Sequence, residues 1–243
     1  INTIIQYDIL DPISSLNLNW KEINYVIISA ACSNVGFCEI NEDYSNNVNY
    51  ISIMRIIKEL KFKNIPVILF SSEYVFDGKL GNYTEESKRL PETKYGVQKK
   101  KLEKNCLHLY ENCTIFRISK ISTLKYKKSF LIKMVQEMMT QKIYLAATDQ
   151  LFTPIQIEDC VKAIRISIDK SLFGLYNLCG INHYSRYSLA KDLKNKLKIN
   201  TEIKKCYISE LNLSYKVPLN LTMNCDKIKD HFKFTPSELN FFE

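Results

Sequence analysis

The chain has 243 residues, of which 46% are hydrophobic and 25% are charged. These are the values of a globular protein that builds one large α/β domain, or a domain with a smaller lobe, and they argue against intrinsic disorder. No apolar run approaches the roughly 20 residues that cross a bilayer, and the chain does not open on the basic and apolar segments of a secretory signal. We therefore expect a cytoplasmic protein, or a piece of one, that has no membrane partner.

The net charge of +8 is carried mainly by lysines scattered over the chain, and only five of the 34 basic residues are arginines. Nucleic-acid surfaces concentrate lysine and arginine against phosphates, so this scattered pattern predicts no nucleic-acid partner. A modest positive field would instead attract an anionic nucleotide ligand.

Cysteine and histidine show no metal-binding pattern. None of the eight cysteines forms a C-x-x-C pair, and the three histidines have no partner at a ligand spacing. We interpret the cysteines as reduced thiols that pack in the core, and we predict no metal site.

Apolar β-branched runs alternate with helical periodicity along the first half of the chain, as strands and crossover helices do in a parallel sheet. The pattern predicts strands at residues 3–9, 24–31, 66–71 and 113–119, and helices at residues 48–60 and 94–109. The second strand is almost continuously apolar, which is typical of a strand buried on both faces. The loop after residue 71 follows a strand's carboxyl end, where open α/β sheets place their ligands.

The second half predicts helices at residues 129–140 and 157–168, and strands at 143–147 and 174–180. An amphipathic helix that carries Leu189, Leu193 and Leu197 follows, and the last forty residues look like a small second lobe. The predicted fold class is α/β, a Rossmann-like doubly wound parallel sheet with a small α/β C-terminal lobe. We assign residues 1–119 to a truncated dinucleotide-binding domain. Residues 120–243 form mainly a substrate-binding lobe, with residues 157–180 returning to the Rossmann core.

A tyrosine with a lysine four residues later occurs twice, as Tyr95 with Lys99 and as Tyr187 with Lys191. On a helix this spacing puts both side chains on one face. A phenol has a pKa near ~10 and is a poor acid–base catalyst at neutral pH, but an ammonium beside it favours the phenolate. Tyr187 lies in a segment whose leucines define a core stripe, so we expect the catalytic pair to be Tyr95 and Lys99.

The surroundings of Tyr95 carry a specific resemblance. The stretch from Ser71 to Lys104 reads SSEYVFDGKLGNYTEESKRLPETKYGVQKKKLEK. This arrangement of S-S-E-Y-V-F-D-G, a T-E-E segment, a proline and Y-G-x-x-K resembles the active-site segment of the extended short-chain dehydrogenase/reductase superfamily. It is most similar to the dTDP-4-dehydrorhamnose reductase branch, and also to the regulatory beta subunit of methionine adenosyltransferase.

The resemblance implies roles for three residues of this segment. Tyr95 would donate a proton to the substrate carbonyl, Lys99 would lower the pKa of the phenol and hold the cofactor ribose, and Ser72 would hydrogen-bond the carbonyl oxygen. Ser71 could take the place of Ser72 if the alignment is shifted by one residue. The implied cofactor is NADPH or NADH, which supplies the hydride.

Further positions of the chain match the family outside this segment. For the cofactor, the resemblance implies contacts from Asp8, Ala30, Ala31 and Ser71 in addition to Tyr95 and Lys99. For the substrate, it implies contacts from Ser72, Tyr74, Phe76, Lys120 and Gln150. Alternatives stay open: Asp8 could cap a strand end, and Phe76 could be a packing anchor. Asn47 matches an asparagine that helps to hold the active site in the family.

The chain departs from the family in two respects. The family opens on a strand and a Gly-x-x-Gly-x-x-Gly turn that holds the pyrophosphate, but none of the six glycines here precedes Gly36. The sequence could be a fragment, a shortened paralogue that does not bind the dinucleotide, or a chain completed by a partner. The second departure is Lys120, which stands where this branch tends to carry an aromatic residue; a cation there would suit a phosphate or a carboxylate.

Three functions remain in view. The first is the NAD(P)H-dependent reduction of a nucleotide-activated 4-keto (deoxy)sugar in the synthesis of cell-surface polysaccharide precursors. The second is a non-catalytic regulatory or interaction protein on the same fold, and the third is a sugar-nucleotide epimerase or dehydratase. A homodimer or another protein partner is compatible with each of them.

Overall fold

The computed structural model describes residues 4–125, 129–211 and 213–240. Its strands are β1 (Val26–Ile28), β2 (Val67–Ser72), β3 (Cys113–Ile118), β4 (Ile121–Ser122), β5 (Ile143–Ala147), β6 (Leu151–Phe152), β7 (Ile155–Gln156), β8 (Gly174–Leu178), β9 (Tyr184–Ser185) and β10 (Glu202–Cys206). Its α-helices are α1 (Val35–Ile40), α2 (Glu42–Asn46), α3 (Ser52–Phe62), α4 (Lys94–Leu109), α5 (Phe130–Thr140), α6 (Ile157–Asp169), α7 (Arg186–Leu197) and α8 (Asp226–Phe232).

Four parallel strands form the central sheet, in the order β1, β2, β3 and β8. Strand β2 is apolar over most of its length because both of its faces are covered. Val67 and Leu69 belong to the core on one side and Ile68 to the core on the other, since successive side chains of a strand point to opposite faces. The predicted parallel sheet is therefore confirmed.

Helices cover both faces of this sheet. Helices α3 and α4 pack on the first face, through residues such as Ile57, Leu60 and Leu102. Helices α6 and α8 pack on the other face, where the ring centroid of Phe232 lies 6.0 Å from that of Phe116. The chain is thus doubly wound, as the sequence predicted.

Most of the predicted elements lie where the pattern placed them, and helix α4 has the predicted bounds. The strand predicted at residues 3–9 is wrong for the described residues 4–9. This segment is not a strand and ends in a turn, in which the Asp11 N–H donates a hydrogen bond to the Asp8 carbonyl. Ile4 is 98% exposed, and this segment pairs with none of the strands among the described residues. The second strand is also shorter than predicted, because pairing with β2 stops at Ile28.

The remaining strands and helices build the second part of the molecule. Strand β10 pairs in parallel with β5, and α5 and α7 pack against this small sheet. The last forty residues do not form a lobe of their own, since β10 joins β5 and α8 packs on the central sheet. The predicted boundary at residues 119 and 120 stays a prediction.

Among the residues that the structure describes, none of the helices has the length and apolar character that a membrane span requires.

Candidate active site

A cavity of about 860 Å³ opens at the carboxyl ends of β1, β2 and β3. This volume lies within the range of ligand and cofactor pockets. Most of the sequence-predicted site residues line it together: Ala30, Ala31, Ser71, Ser72, Tyr74, Tyr95, Lys99 and Lys120. The structure therefore brings together residues that are as much as 90 positions apart in the sequence.

Ser72 stands at the end of β2, where the strand passes into a single helical turn at Glu73–Val75. Its Oγ accepts a hydrogen bond from the Tyr74 N–H at 3.3 Å, so the side chain that ends the strand also begins the turn. This turn leaves the hydroxyl on the wall of the cavity.

Tyr95 is placed by the first turn of α4. The Thr93 side chain caps this helix by accepting a hydrogen bond from the Gly96 N–H at 3.1 Å. Gly96 allows the helix to approach the turn after β2, because a Cβ at this position would overlap the carbonyl oxygen of Tyr74. The close approach places Tyr95 next to Ser72 on the wall of the cavity.

The environment of Tyr95 keeps its phenol protonated. Burial raises the pKa of Tyr95 well above its ordinary value, and the nearby Ser72 side chain opposes this rise only in part. At neutral pH the group is therefore a neutral O–H, the form that can donate a proton.

Lys99 lies one helical turn after Tyr95 and is 2% exposed. Its Nζ donates a hydrogen bond to the Phe70 carbonyl at 3.0 Å and lies 5.7 Å from the ring centroid of Tyr95. Burial lowers the pKa of Lys99 to about 8, while the carboxylate of Glu103 acts in the opposite direction. An ammonium in this position stabilises negative charge on the neighbouring phenol oxygen.

Sequence reasoning placed the supporting asparagine at Asn47, but Asn47 is exposed. The structure gives the supporting contacts to Asn49, which is fully buried. Its side chain accepts from the Cys32 N–H at 2.8 Å and donates to the Cys32 carbonyl at 2.9 Å and to Gln98 Oε1 at 2.8 Å. Asn49 thereby ties the loop after β1 to the helix that carries Tyr95. The sequence could have indicated Asn49, because it precedes Ile53 by four residues and therefore lies on the same apolar face of the helical segment.

Sequence reasoning also missed Glu73. Its buried carboxylate pairs with Lys120, with 3.3 Å between Oε1 and Nζ, and the ammonium lies 4.9 Å from the ring centroid of Tyr74. Burial raises the pKa of Glu73, and Lys120 opposes the rise. Lys120 is therefore paired with an acidic partner from the chain, and its suitability for a phosphate or a carboxylate stays a prediction.

Asp8 lies in a second cavity, of about 560 Å³. The two cavities share residues 27–30, so together they form one cleft along β1. Asp8 Oδ1 accepts a hydrogen bond from the Leu10 N–H at 2.9 Å, which is a local turn contact. Asp8 is thus within the cleft, and its role as a cofactor contact stays a prediction.

Phe76 and Gln150 do not line the larger cavity. The ring of Phe76 is fully buried and stacks on Tyr83 with 4.2 Å between the ring centroids. Gln150 Oε1 accepts a hydrogen bond from Arg186 Nε at 3.0 Å. The geometry supports packing and positioning for these two side chains, and we leave them out of the substrate contacts proposed below.

Lys120 is followed in the sequence by three further lysines, at positions 125, 127 and 128. Lys127 and Lys128 lie outside the described residues, and the exposed Lys125 pairs with Glu158, with 3.1 Å between Nζ and Oε1. Within residues 4–125, 129–211 and 213–240, no cluster of three histidine, cysteine or acidic side chains could hold a metal ion.

The cleft suits a nicotinamide nucleotide in both shape and chemistry. Small side chains line it after β1, among them Ser29, Ala30 and Ala31, and such residues let a flat ligand lie close to the backbone. Tyr95 and Lys99 offer a hydroxyl and an ammonium to a ribose at the deeper end. We therefore assign Ala30, Ala31, Tyr95 and Lys99 as the residues that would hold the nicotinamide half of the cofactor.

Comparisons with known proteins agree with this geometry. The chain is 28% identical over 197 residues to a dTDP-4-dehydrorhamnose reductase of Sinorhizobium fredii, covering 76% of this chain and 66% of the relative. It is 25% identical over 233 residues to a dTDP-4-dehydrorhamnose reductase of Aggregatibacter actinomycetemcomitans, covering 88% of this chain and 77% of the relative.

Two solved structures share the fold. One is a hypothetical dTDP-4-dehydrorhamnose reductase of Sulfolobus tokodaii, with a TM-score of 0.85 at 24% identity over 97% of this chain and 84% of that one. The other is a dTDP-4-dehydrorhamnose reductase of Bacillus anthracis in complex with NADP, with a TM-score of 0.83 at 21% identity over 88% of this chain and 76% of that one.

The family itself is shown by a match that spans nearly all of the sequence. A family model described as the RmlD substrate binding domain matches residues 4–240. The chain therefore belongs to the RmlD substrate binding domain family, in agreement with the resemblance of its Y-V-F-D-G and Y-G-x-x-K segments.

Proposed function

We propose that this protein reduces the keto group of a nucleotide-activated 4-keto (deoxy)sugar with NADPH as the hydride donor, in the synthesis of cell-surface polysaccharide precursors. One observation carries the proposal. Ser72 and Tyr95 line the wall of the same cofactor-sized cavity, with the buried ammonium of Lys99 one helical turn after Tyr95. The names of the relatives supply the substrate class.

The residues of the chain divide the chemistry between them. When bound, the nicotinamide supplies the hydride that is added to the carbonyl carbon. Tyr95 is a neutral phenol in its buried position and donates its proton to the carbonyl oxygen as negative charge develops there. Ser72 donates a hydrogen bond to the same oxygen, a contribution that is worth up to a few kcal/mol when the donor is fixed in advance.

Lys99 completes this arrangement. After proton transfer the phenolate of Tyr95 is stabilised by the nearby ammonium, whose position is fixed by the Phe70 carbonyl. The low exposure of both side chains excludes water from this contact, and charge interactions are stronger in such surroundings.

The substrate side of the cavity is lined by Tyr74 and Lys120, and Lys120 pairs with the buried Glu73. The Lys120 side chain is 25% exposed and lines the cavity, so its ammonium can donate to a sugar hydroxyl while it remains paired with Glu73. Because the charges of Lys120 and Glu73 offset each other, the pair suits an uncharged, hydroxylated sugar ring better than a sugar that carries an acidic group.

The test is turnover by the wild-type protein and by Tyr95→Phe. The proteins are incubated with NADPH and dTDP-4-keto-6-deoxy sugars, and the loss of NADPH absorbance is followed. We expect turnover by the wild type and a fall of about 10²- to 10⁴-fold in Tyr95→Phe, since the variant lacks its proton donor. NADH is assayed in parallel, and we expect NADPH to be preferred.

Tyr184→Phe is the matched control, because Tyr184 is a partly exposed tyrosine of β9 that does not line the cavity. Equal turnover in the wild type and Tyr95→Phe would contradict the proposal. Tight binding of nucleotide or sugar without any turnover would instead favour a non-catalytic binding protein on the same fold.

A further inference from the structure

A buried ionic cluster lies beside the candidate active site, and of its members only Ser71 lines the cavity. It consists of Glu103 with Ser71, Arg89 and Arg117, and we refer to it as the Glu103 cluster. Arg117 donates to Glu103 through Nε and Nη2, each at 2.9 Å. Arg89 Nη1 donates to the same carboxylate at 2.9 Å, and Ser71 Oγ donates at 2.5 Å.

The cluster is costly for a purely structural feature. The side chains of Glu103 and Arg117 are fully buried, whereas that of Arg89 is 28% exposed. Removing charges from water costs several kcal/mol per ion, and well-packed apolar residues often give equal or greater stability than a buried ion pair. Stability alone therefore does not account for the cluster.

The contacts of the cluster point to the catalytic residues. Glu103 follows Lys99 by one turn of α4, and the two side chains hold consecutive residues of β2. Lys99 binds the Phe70 carbonyl and Glu103 binds the Ser71 hydroxyl. The next residue of β2 is Ser72, so these two contacts set the position of its hydroxyl relative to α4.

The same cluster controls the charge around Lys99. The groups that face Lys99 are Tyr95 and Glu103 on α4, Cys38 on α1 and the Phe70 carbonyl on β2. Burial favours the neutral amine, and the Glu103 carboxylate favours the ammonium. The two guanidinium groups of Arg89 and Arg117 offset part of the negative charge of Glu103.

We propose that Glu103 is a positioning residue for the proposed reductase reaction, which fixes Ser72 against α4 and holds a carboxylate one helical turn from Lys99. The proposal rests on the proposed function for its kinetic consequence, because Lys99 acts only as a cation. Arg89, at the rim of the cluster, moderates the effect of Glu103 on Lys99.

Two substitutions with opposite effects on charge test this proposal. Glu103→Gln leaves two guanidinium groups without a carboxylate, so Lys99 loses its proton at lower pH. Arg89→Met removes one of the cations that offset Glu103, so Lys99 retains its proton to higher pH. We expect the basic limb of the kcat/KM profile to move down by about one pH unit in Glu103→Gln and up by a smaller amount in Arg89→Met.

A second readout does not depend on turnover. The Lys99 side chain is titrated by NMR with ¹³C-labelled lysine in the same proteins, and its signal is identified by its absence in Lys99→Met. We expect the midpoint to move in opposite directions in the two variants. If the protein reduces no sugar but the Lys99 midpoint shifts in this way, the result contradicts the proposed function and supports the role of Glu103.

Glu202→Gln is the control, since Glu202 is an exposed carboxylate on β10 that pairs with Lys204, and it should leave both readouts unchanged. A purely structural role for Glu103 would lower turnover in both variants without moving the basic limb or the Lys99 midpoint, and this would overturn the proposal. If Glu103→Gln does not fold, Arg89→Met decides the question, because an unmoved midpoint in that variant contradicts the proposal.

Discussion

The two walls of the cleft differ in how firmly their residues are held. We call the side built by β2 and α4 the catalytic wall, and the side built by β1 and residues 4–11 the nucleotide wall. On the catalytic wall, Ser72, Tyr95 and Lys99 are buried, and the side chains of Ser72 and Lys99 are hydrogen-bonded to the backbone. On the nucleotide wall a strand of three residues adjoins a segment without regular structure.

Strand pairing explains much of this difference. Strand β2 is paired on both sides, whereas β1 is paired with β2 alone among the described residues. The catalytic wall is therefore fixed before a ligand arrives, and an enzyme gains most from such fixed positions at the reacting atoms. We expect substitutions on the catalytic wall to change turnover strongly and those on the nucleotide wall to change affinity weakly.

Lys99→Met gives the largest expected effect. Loss of the ammonium beside Tyr95 should reduce turnover by about 10²- to 10⁴-fold, measured as NADPH oxidation with a 4-keto sugar nucleotide. Lys104→Met, an exposed lysine of the same helix, is the control. Similar turnover in the two variants would show that Lys99 has no role in the mechanism.

The buried Lys99 should also make the free energy of unfolding depend on pH. Its pKa falls from 10.5 to about 8 on burial, so between these values the unfolded chain binds more protons than the folded one. The free energy of unfolding of the wild type, relative to Lys99→Met, should therefore rise as the pH increases from about 8 to about 10.5. Urea unfolding at several pH values measures this difference, and a flat difference would contradict the burial of a titrating lysine.

Gly96→Ala tests the close approach of α4 to the turn after β2. The added methyl group would overlap the Tyr74 carbonyl, so we expect a loss of about 1–3 kcal/mol in the free energy of unfolding. Turnover should fall with it, because Tyr95 moves with the helix. Val97→Ala, at an exposed position one residue later, should change turnover little. Wild-type stability in Gly96→Ala would show that the approach is not tight.

Lys120→Met tests the substrate side of the cavity. We expect the KM for the sugar nucleotide to rise by roughly tenfold, which corresponds to about 1.4 kcal/mol, with the affinity for NADPH unchanged. Lys125→Met, which alters an exposed ion pair, serves as the control. The double variant Glu73→Gln with Lys120→Met separates a substrate effect from the cost of an unpaired buried carboxylate.

Asp8→Ala should have the smallest effect. If Asp8 contacts the nucleotide, the Kd for NADPH should increase by a few fold, the size expected for a single exposed polar contact of about 1 kcal/mol. The exposed Asp11 provides a control in Asp11→Ala. Equal affinity in the two variants would show that Asp8 makes only the local turn contact with Leu10 and does not contact the nucleotide.

Sequence reasoning worked best where local pattern and tertiary structure agree. The S-S-E-Y-V-F-D-G and Y-G-x-x-K segments led to Ser72, Tyr95 and Lys99, and the structure brings them onto one cavity. The fold class followed from alternating strands and helices, because burial on both faces makes β2 a continuous apolar run. Local propensity was misleading at residues 4–9, since an apolar segment becomes a strand only with a neighbour to pair with.

Contacts between segments that are distant in the sequence could not be predicted from it. The pairing of Glu73 with Lys120 joins residues 47 positions apart, and no local periodicity reports such a pair. Phe76 illustrates the reverse case, because an aromatic residue in the motif loop could face a ligand or the core, and only the stacking on Tyr83 distinguishes them. Asn49 was missed by two positions, although its place on an apolar stripe was visible in the sequence.

The central claim is that the cleft binds a nicotinamide nucleotide against Tyr95 and Lys99. The most direct measurement is a titration of the wild type, Tyr95→Phe and Lys99→Met with NADPH, followed by nucleotide fluorescence. We predict saturable binding by the wild type, similar affinity in Tyr95→Phe and clearly weaker binding in Lys99→Met. Absence of binding to the wild type at millimolar NADPH, or equal affinity in all three proteins, would contradict the claim.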